Sequence, residues 1–225
     1  IMDMQIPWSK YELNNFKYEL LKKNNLKDAY VRAFSWRGSE MMAVSAQKTK
    51  IHTAIAVWEW PSYFNPEAKM RGLNLDISEW KRPSEECAPV HAKAAGLYMI
   101  CTLAKHNAEK KGYDDTLMLS HDGYIAESTG SNIFFKMKNG RIFTPIPDSF
   151  LNGITRQTVI SLLNNQGKDV EERKIPLDEL KDVEECFLTG TAAEVSPVGK
   201  IGKFEFRPGE FCSSSIKIYS EYVNS

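Results

Sequence analysis

The chain has 225 residues, and its 29 Lys and Arg are balanced by 29 Asp and Glu, so its formal net charge at pH 7 is zero. At roughly 150 residues per domain, this length predicts one or two domains. The apolar fraction of 42% and the aromatic fraction of 11% argue against an intrinsically disordered chain. Without a basic excess, a nucleic-acid-binding protein is disfavoured. The longest weakly charged span, 87–104, contains Pro89, His91 and Lys93, so we expect no membrane span.

The cysteines are too widely spaced for a zinc or Cys-x-x-Cys motif, and the histidines are equally scattered. Four reduced thiols in a cytoplasmic protein is the simplest interpretation. Residues 1–7 lack the basic and apolar regions of a signal peptide. The chain begins with Ile1 rather than Met, which indicates a processed start or residues missing upstream. The cysteines are Cys87, Cys101, Cys186 and Cys212.

The first predicted element is a helix over residues 10–23. Ser9 and Glu12 have the spacing of a capping box, and apolar residues follow at helical intervals. Strand-like runs then occupy 29–36 and 51–60. Residues 61–69 hold two prolines and few aliphatic side chains, which is typical of a linker. We therefore expect 1–60 to be the trailing part of a small N-terminal domain and 70–225 to be a larger second domain.

Strands and helices mix beyond the linker without strict alternation, which predicts an α+β fold rich in hairpins. Turns at 121–123 and 139–140 each separate two apolar runs. One helix is expected over 94–111, closed by Gly112. The other expected elements are strands at 73–77, 169–175 and 186–189, helices at 153–165 and 177–181, and a C-terminal helix carrying Tyr219 and Tyr222.

Lys93 is the most informative residue. It is the only fully charged side chain between Glu86 and Lys105, and its neighbours are small or apolar. We expect such a lysine to be desolvated, which lowers its pKa and favours the neutral amine that a Schiff-base lysine needs. The simpler alternative is a lysine that extends to solvent from a helix end.

Two further side chains suit a polar ligand near Lys93. Tyr98 lies five residues on, and its phenol could face that ligand instead of being an ordinary core aromatic. Glu127 ends an apolar strand and is followed by small hydroxyl residues and Gly130. Taken alone, Glu127 fits a solvent-facing strand position better than a ligand-binding one.

Two segments suit an anion. Residues 151–156 open a helix whose free N–H groups and dipole, together with the Thr155 hydroxyl, would attract phosphate. Residues 188–195 form a strand that leads into small residues, where a turn exposes backbone N–H groups. A capped helix start and a plain tight turn are the simpler interpretations. Together with the amine and the acid, these segments form a set that suits pyridoxal phosphate.

The chain also resembles a known family. Segments 93–98, 124–132, 153–156 and 190–194 resemble the fold-type IV pyridoxal-phosphate enzymes, and their order and spacing are similar to those of the branched-chain amino acid aminotransferases. The resemblance covers essentially the whole chain. It implies a two-domain α+β fold with a small α/β domain, incomplete here, and a larger, hairpin-rich, barrel-like domain with helices.

The resemblance also implies roles for single residues. Lys93 would form the Schiff base with pyridoxal 5'-phosphate and then move protons, Glu127 would keep the pyridine nitrogen protonated, and Tyr98 would bind the phenolic oxygen. The residues implied to bind phosphate are Ile154, Thr155 and Thr191.

The substrate side of the resemblance involves both domains. Tyr30 would help to bind the α-carboxylate, and Arg32 would bind the side-chain carboxylate of glutamate. Tyr63 in the linker would assist, and the backbone at Thr191 and Ala192 would also meet the α-carboxylate. Met42 and Val44 could line the apolar side of the pocket. Alternatively, Arg32 is a surface charge on an alternating strand and Met42 is ordinary core.

The implied activity is ping-pong transamination between branched-chain L-amino acids (Leu, Ile, Val) and 2-oxoglutarate. The implied partners are these amino acids and 2-keto acids and a second copy of the chain, in a homodimer or higher homo-oligomer, with no nucleic acid or membrane. A D-amino acid aminotransferase, an aminodeoxychorismate lyase and a non-catalytic fragment are the alternatives, and Arg32 after Tyr30 argues against the first two.

This sequence departs from the family pattern in two ways. The family has a further N-terminal segment with an arginine that binds the cofactor phosphate, and no motif here replaces it. Ala33 also stands where many relatives have proline. If 1–225 were the entire polypeptide, we would expect weak cofactor binding; within a longer chain, activity is expected.

Overall fold

A computed structural model describes residues 1–60 and 71–225. The chain divides into two compact units, Ile1–Pro61 and Ser62–Ser225. The predicted linker, 61–69, lies outside the described residues, so the domain boundaries stay a prediction.

The first unit consists of one helix and one antiparallel hairpin. Helix α1 (Lys10–Lys23) begins with the predicted capping box: Ser9 Oγ accepts from the Glu12 amide, and the Glu12 carboxylate accepts from the Ser9 amide. Strands β1 (Tyr30–Arg37) and β2 (Ile51–Trp58) pair antiparallel, with Tyr30 opposite Trp58. The three predicted elements of this region are confirmed to within two residues at each end.

The second unit is built on a nine-stranded mixed sheet, in the order β5-β4-β3-β10-β9-β6-β7-β8 with β11 beside β10. The strands are β3 (Leu73–Arg82), β4 (Asp115–Ser120), β5 (Ile125–Ser128), β6 (Asn132–Met137), β7 (Ile142–Pro145), β8 (Val170–Arg173), β9 (Val183–Gly190), β10 (Glu194–Ile201) and β11 (Phe204–Glu205). The helices are α2 (Met99–Lys110), α3 (Ile154–Asn165) and α4 (Glu210–Val223), with short 3-10 helices at Ala95–Tyr98 and Leu177–Asp182.

The sheet curls until its two ends meet. Strand β5 is at one end of the strand order, yet the Ile125 amide donates to Ile175 O at 2.9 Å, and Tyr124 bridges Pro176, just beyond β8. Both predicted hairpins, β4–β5 and β6–β7, are confirmed as antiparallel pairs. The parallel pairs β3–β4 and β7–β8 are joined through helices α2 and α3, as parallel neighbours require.

A small apolar cluster joins α2 to β4, and two bigger apolar cores form around this sheet. The larger one includes the β3 and β6 side chains Leu73, Leu75, Ile133 and Phe135 and the end-joining Ile175. The second cluster holds residues of β6 and β9 together with residues of α3 and α4, namely Phe134, Val159, Leu163, Phe187 and Phe211. Neighbouring residues on β6 thus contribute to different cores, as the alternation of side chains along a strand requires.

Several elements differ from their prediction. The single helix expected over 94–111 is a 3-10 turn, Ala95–Tyr98, followed by α2, because Ala94 offers no capping side chain and Leu97 N bonds to Ala94 O at i−3. Gly112 closes the segment with φ +83°, as predicted. Strand β10 was not predicted, since Ser196, Pro197 and Gly199 are poor strand formers.

Candidate active site

Lys93 and Tyr98 are brought together by the turns that follow β3. Lys93 Nζ donates to the Tyr98 hydroxyl at 3.1 Å and lies 5.3 Å from the centre of the tyrosine ring. The expectation that small neighbours desolvate Lys93 is wrong for this chain, because its side chain is exposed. Residues 83–94 form turns rather than a packed element, so Ala92 and Ala94 do not cover the amine.

Glu127 is a buried acid. It is 7% exposed on strand β5, so the alternative of a solvent-facing position is wrong. Its Oε1 lies 3.5 Å from Arg82 Nε, and its Oε2 accepts from Asn132 Nδ2 at 3.1 Å. Burial raises its pKa to about 8, against the opposing charges of Arg82 and Lys93. This carboxyl group is therefore suited to facing a cationic group of a ligand.

Arg82 is part of the site although no sequence pattern singles it out. It is 3% exposed at the end of β3, and its Nη1 contacts Leu97 O at 3.3 Å and Cys101 Sγ at 3.0 Å. These contacts join the strand, the 3-10 turn and the start of α2. The guanidinium therefore fixes the backbone beside Tyr98 while it faces Glu127.

The start of α3 is free to receive an anion. Its N-cap is Gly153, which supplies no side-chain cap, so within 1–60 and 71–225 no capping side chain accepts from the first-turn amides of Ile154 and Thr155. Ile154 is 82% exposed, whereas Thr155 is buried. Arg156 anchors this end from inside: it is 1% exposed, and its guanidinium donates to Pro145 O at 2.9 Å and to Glu172 Oε2 at 2.6 Å.

The turn between β9 and β10 lies at the same sheet edge as the start of β6. Asn132 pairs with Thr189, and Glu194 pairs with Gly190, so the end of β9 and the starts of β6 and β10 are neighbours. Thr191 is exposed in this turn, and Ala192 is half-buried beside it. Glu194 has φ +53°, a left-handed conformation that is uncommon outside glycine and recurs at ligand-binding turns.

Tyr30 and Arg32 share one face of the hairpin in the first unit. The Arg32 guanidinium lies 5.5 Å from the centre of the Tyr30 ring and 5.6 Å from that of Trp58. Met42 and Val44 are fully exposed, so the alternative of ordinary core is wrong for Met42. Tyr63 lies outside the described residues.

The residues of the second unit fit pyridoxal phosphate as a donor set. They supply a primary amine beside a phenol, a buried carboxyl group, a helix start without a side-chain cap, and a turn of small residues after β9. Sequence reasoning found these groups but missed the connecting residues Arg82 and Asn132. Within 1–60 and 71–225, no cluster of three potential metal-ligating side chains occurs, and no described helix is long and apolar enough to cross a membrane.

Residues 1–201 match the model of the family described as Amino-transferase class IV. The chain belongs to this family. The branched-chain-amino-acid aminotransferase of Pseudomonas aeruginosa is 39% identical over 201 residues, which are 89% of this chain and 65% of that protein. The present chain thus spans slightly less than two thirds of that class IV relative's length.

Solved structures of class IV relatives share the fold. The branched-chain aminotransferase of the thermophilic archaeon Thermoproteus uzoniensis, solved with norvaline, superposes with a TM-score of 0.91 at 30% identity, covering 98% of this chain and 73% of that one. An aminotransferase from Brucella abortus bound to PLP has a TM-score of 0.86 at 28% identity, covering 99% of this chain and 78% of that one. The predicted fold-type IV architecture is confirmed.

Proposed function

We propose that the protein is a pyridoxal-phosphate-dependent transaminase that exchanges amino groups between branched-chain L-amino acids and 2-oxoglutarate. The observation that carries the proposal is the pairing of an amine with a phenol (Lys93 and Tyr98, 3.1 Å) in the same unit as a buried glutamate linked to a helix N-terminus. Class IV membership and the 39% identical relative support the reaction class.

Bound pyridoxal phosphate would supply the electron sink that stabilises negative charge at the substrate α-carbon. Lys93 Nζ would hold the cofactor covalently and, once displaced by substrate, accept and return the α-proton. Tyr98 is placed to orient that amine and to donate to the phenolic oxygen. The exposure of Lys93 gives a substrate amine access to it.

Glu127 would hold the cofactor at its ring nitrogen, and the two amide-bearing segments would hold it at its phosphate. The buried carboxylate would pair with a protonated ring nitrogen, because an opposite charge stabilises each ion in a site from which water is excluded. The amides of Ile154 and Thr155 and the turn at Thr191 would bind the phosphate.

For the substrate, the proposal assigns Tyr30, Arg32, Tyr63 and the backbone at Thr191 and Ala192 to the two carboxylates of glutamate. An arginine at the rim of an apolar pocket would let one site accept leucine-like chains and glutamate in turn. The family resemblance also supports a homodimer in the cytoplasm, and light scattering would test the dimer.

The first test is cofactor attachment in the full-length protein. We expect purified protein with added pyridoxal phosphate to be yellow, and borohydride to fix the cofactor to the peptide that contains Lys93. Lys93→Ala should abolish both the yellow colour and the borohydride-fixed cofactor, which is detected as added mass on that peptide. Lys110→Ala, which removes an exposed lysine at the end of α2, should retain both. Protein that stays colourless and unlabelled would support a non-catalytic fragment and contradict the proposal.

The second test is substrate choice. We expect turnover of L-leucine with 2-oxoglutarate, and Arg32→Ala should raise KM for glutamate more than KM for leucine, since only glutamate has a second carboxylate. Inactivity on L-leucine combined with turnover of D-alanine or aminodeoxychorismate would instead identify one of the two related activities.

A further inference from the structure

The side-chain amide of Asn132 makes three hydrogen bonds that meet between two parts of the candidate site. Its Nδ2 donates to Glu127 Oε2 at 3.1 Å and to Leu151 O at 3.0 Å. Its Oδ1 accepts from the Gly153 amide, the N-cap of α3, at 3.2 Å. Asn132 is 4% exposed at the start of β6.

These partners fix the orientation of the amide group. The Leu151 carbonyl can only accept and the Gly153 N–H can only donate, so these two partners fix the amide whether or not Glu127 is protonated. Rotating the amide by 180° would set its oxygen against the Leu151 carbonyl and its NH2 against the Gly153 donor, at a buried position where such losses are costly. The site therefore holds one orientation.

Gly153 fits closely against this group. A Cβ at position 153 would lie 2.4 Å from Asn132 Oδ1, so only glycine allows the contact. Asn132 on β6 thus binds the amide of the N-cap residue and leaves the Ile154 and Thr155 amides to a ligand, while its Nδ2 reaches Glu127. One side chain thus sets both the carboxylate and the first turn of the helix.

We propose that Asn132 is a positioning residue that fixes the Glu127 carboxylate relative to the N-terminus of α3, and so matches the ring-binding and phosphate-binding parts of the site to one ligand. This inference rests on the proposed cofactor. Asn132 need not touch that ligand; it acts through Glu127 and Gly153.

Two substitutions of Asn132 separate its hydrogen bond to Glu127 from its hydrogen bond to Gly153. Asn132→Asp keeps an acceptor for the Gly153 amide but loses the donor to Glu127 and Leu151 O, whereas Asn132→Ala loses all three hydrogen bonds. Asn139→Asp is the matched control, since Asn139 is exposed in the β6–β7 turn and its Oδ1 accepts from the Arg141 amide, which aspartate can also do. Pyridoxal phosphate and pyridoxal are the probes. The affinity for pyridoxal phosphate divided by the affinity for pyridoxal is the affinity ratio, and it measures how strongly the phosphate is bound.

In the full-length protein we expect both Asn132 variants to bind pyridoxal about tenfold more weakly, because a hydrogen bond to a buried carboxylate is lost. The affinity ratio should stay within about twofold of wild type in Asn132→Asp and fall by about tenfold in Asn132→Ala. Asn139→Asp should leave both affinities unchanged. A ratio that is equal in the two Asn132 variants, or affinities that match wild type, would overturn the inference.

Hydrogen exchange without cofactor tests the same connection independently of the proposed function. The Gly153 amide should exchange at least about tenfold faster in Asn132→Ala than in Asn132→Asp or wild type, since only alanine removes its acceptor. If this holds in a protein that never binds pyridoxal phosphate, the proposed function fails while the link between Asn132 and the helix stands. Equal exchange in all three proteins would contradict that link.

Discussion

The Glu127 side chain keeps its proton to unusually high pH although a guanidinium lies 3.5 Å away. Burial disfavours the ionised form more strongly than Arg82 and Lys93 favour it, and the charge of Asp115 adds to the effect of burial. The pKa of Glu127 in the folded protein is therefore about 8, against 4.5 for an ordinary glutamate. Folding is thus coupled to proton binding at this residue.

The sign of this coupling leads to a prediction for Glu127→Gln. A folded-state pKa above the unfolded value gives a stabilising contribution that is complete below about pH 4.5 and is lost as pH rises through about 8. Glutamine does not titrate. Between about pH 5 and 9, the free energy of unfolding of cofactor-free wild type should therefore fall relative to that of the variant, by on the order of 3 kcal/mol.

Urea unfolding at several pH values measures this difference. Glu221→Gln provides the control, because Glu221 is exposed on α4 and, among the described residues, pairs only with Lys217 at i−4. A difference between wild type and Glu127→Gln that does not change with pH would show that Glu127 ionises normally.

At the residue scale, the sequence reveals groups with distinctive chemistry but not the groups that hold them. Lys93 and Glu127 could be selected because each is a charge among small or apolar neighbours. Arg82 lies in the polar run Glu-Trp-Lys-Arg, which is typical of a surface, and its burial depends on partners 15 to 67 residues away. Asn132 follows a plausible turn, and its role depends on Gly153 from a distant helix.

Among the helices, α4 has its N-terminus stabilised by a side chain from strand β9. Glu185 is 4% exposed, and its carboxylate accepts from the amides of Gly209 at 2.7 Å, Phe211 at 3.2 Å and Cys212 at 3.0 Å. Burial opposes ionisation of Glu185, but these amides outweigh it and lower its pKa. The negative charge also lies at the positive end of the helix dipole.

Replacing Glu185 by Ala should therefore destabilise the protein by about 2–3 kcal/mol, because three amides lose a charged acceptor. The loss should be greatest near neutral pH and should shrink as pH falls below about 4.5, since a lowered pKa stabilises only while the carboxylate is ionised. Chemical denaturation at about pH 7 and pH 4 would measure both effects. Glu184→Ala, on the exposed side of the same strand, should cost under about 1 kcal/mol; equal losses for the two variants would contradict the capping role.

The elements that local sequence signals define are predicted best. Helix α1 has a capping box, and both hairpins have turn residues between alternating apolar runs. Strand β3 continues five residues past the predicted end because its pairing with β4 extends to Arg82, and a polar strand at that position has no local signal. Cross-strand pairing therefore decides the elements that periodicity leaves open.

Taken as a whole, the molecule has no net charge, but its candidate site contains individual charged groups. Its net charge is zero, so no overall field would draw the anionic substrates of the proposed reaction to it. Selection must come from local groups. In the second unit, Glu127, Asn132 and Thr191 lie on the end of β5, the start of β6 and the turn after β9, which are joined by the Ser128–Ser131 hydrogen bond and the Asn132–Thr189 pair. The stability of the curled sheet therefore determines the geometry of the site.

Phe187 tests this dependence, because it is fully buried on β9, three residues before the turn, with its ring 5.1 Å from that of Phe134 and 5.0 Å from that of Phe211. Phe187→Ala should lower the free energy of unfolding by about 3–5 kcal/mol, since it leaves a cavity between the sheet and two helices. Phe34→Ala, at a position 47% exposed in the other unit, should cost far less. Thermal unfolding followed by near-ultraviolet circular dichroism compares the two, and similar losses would mean that the core around Phe187 collapses without cost.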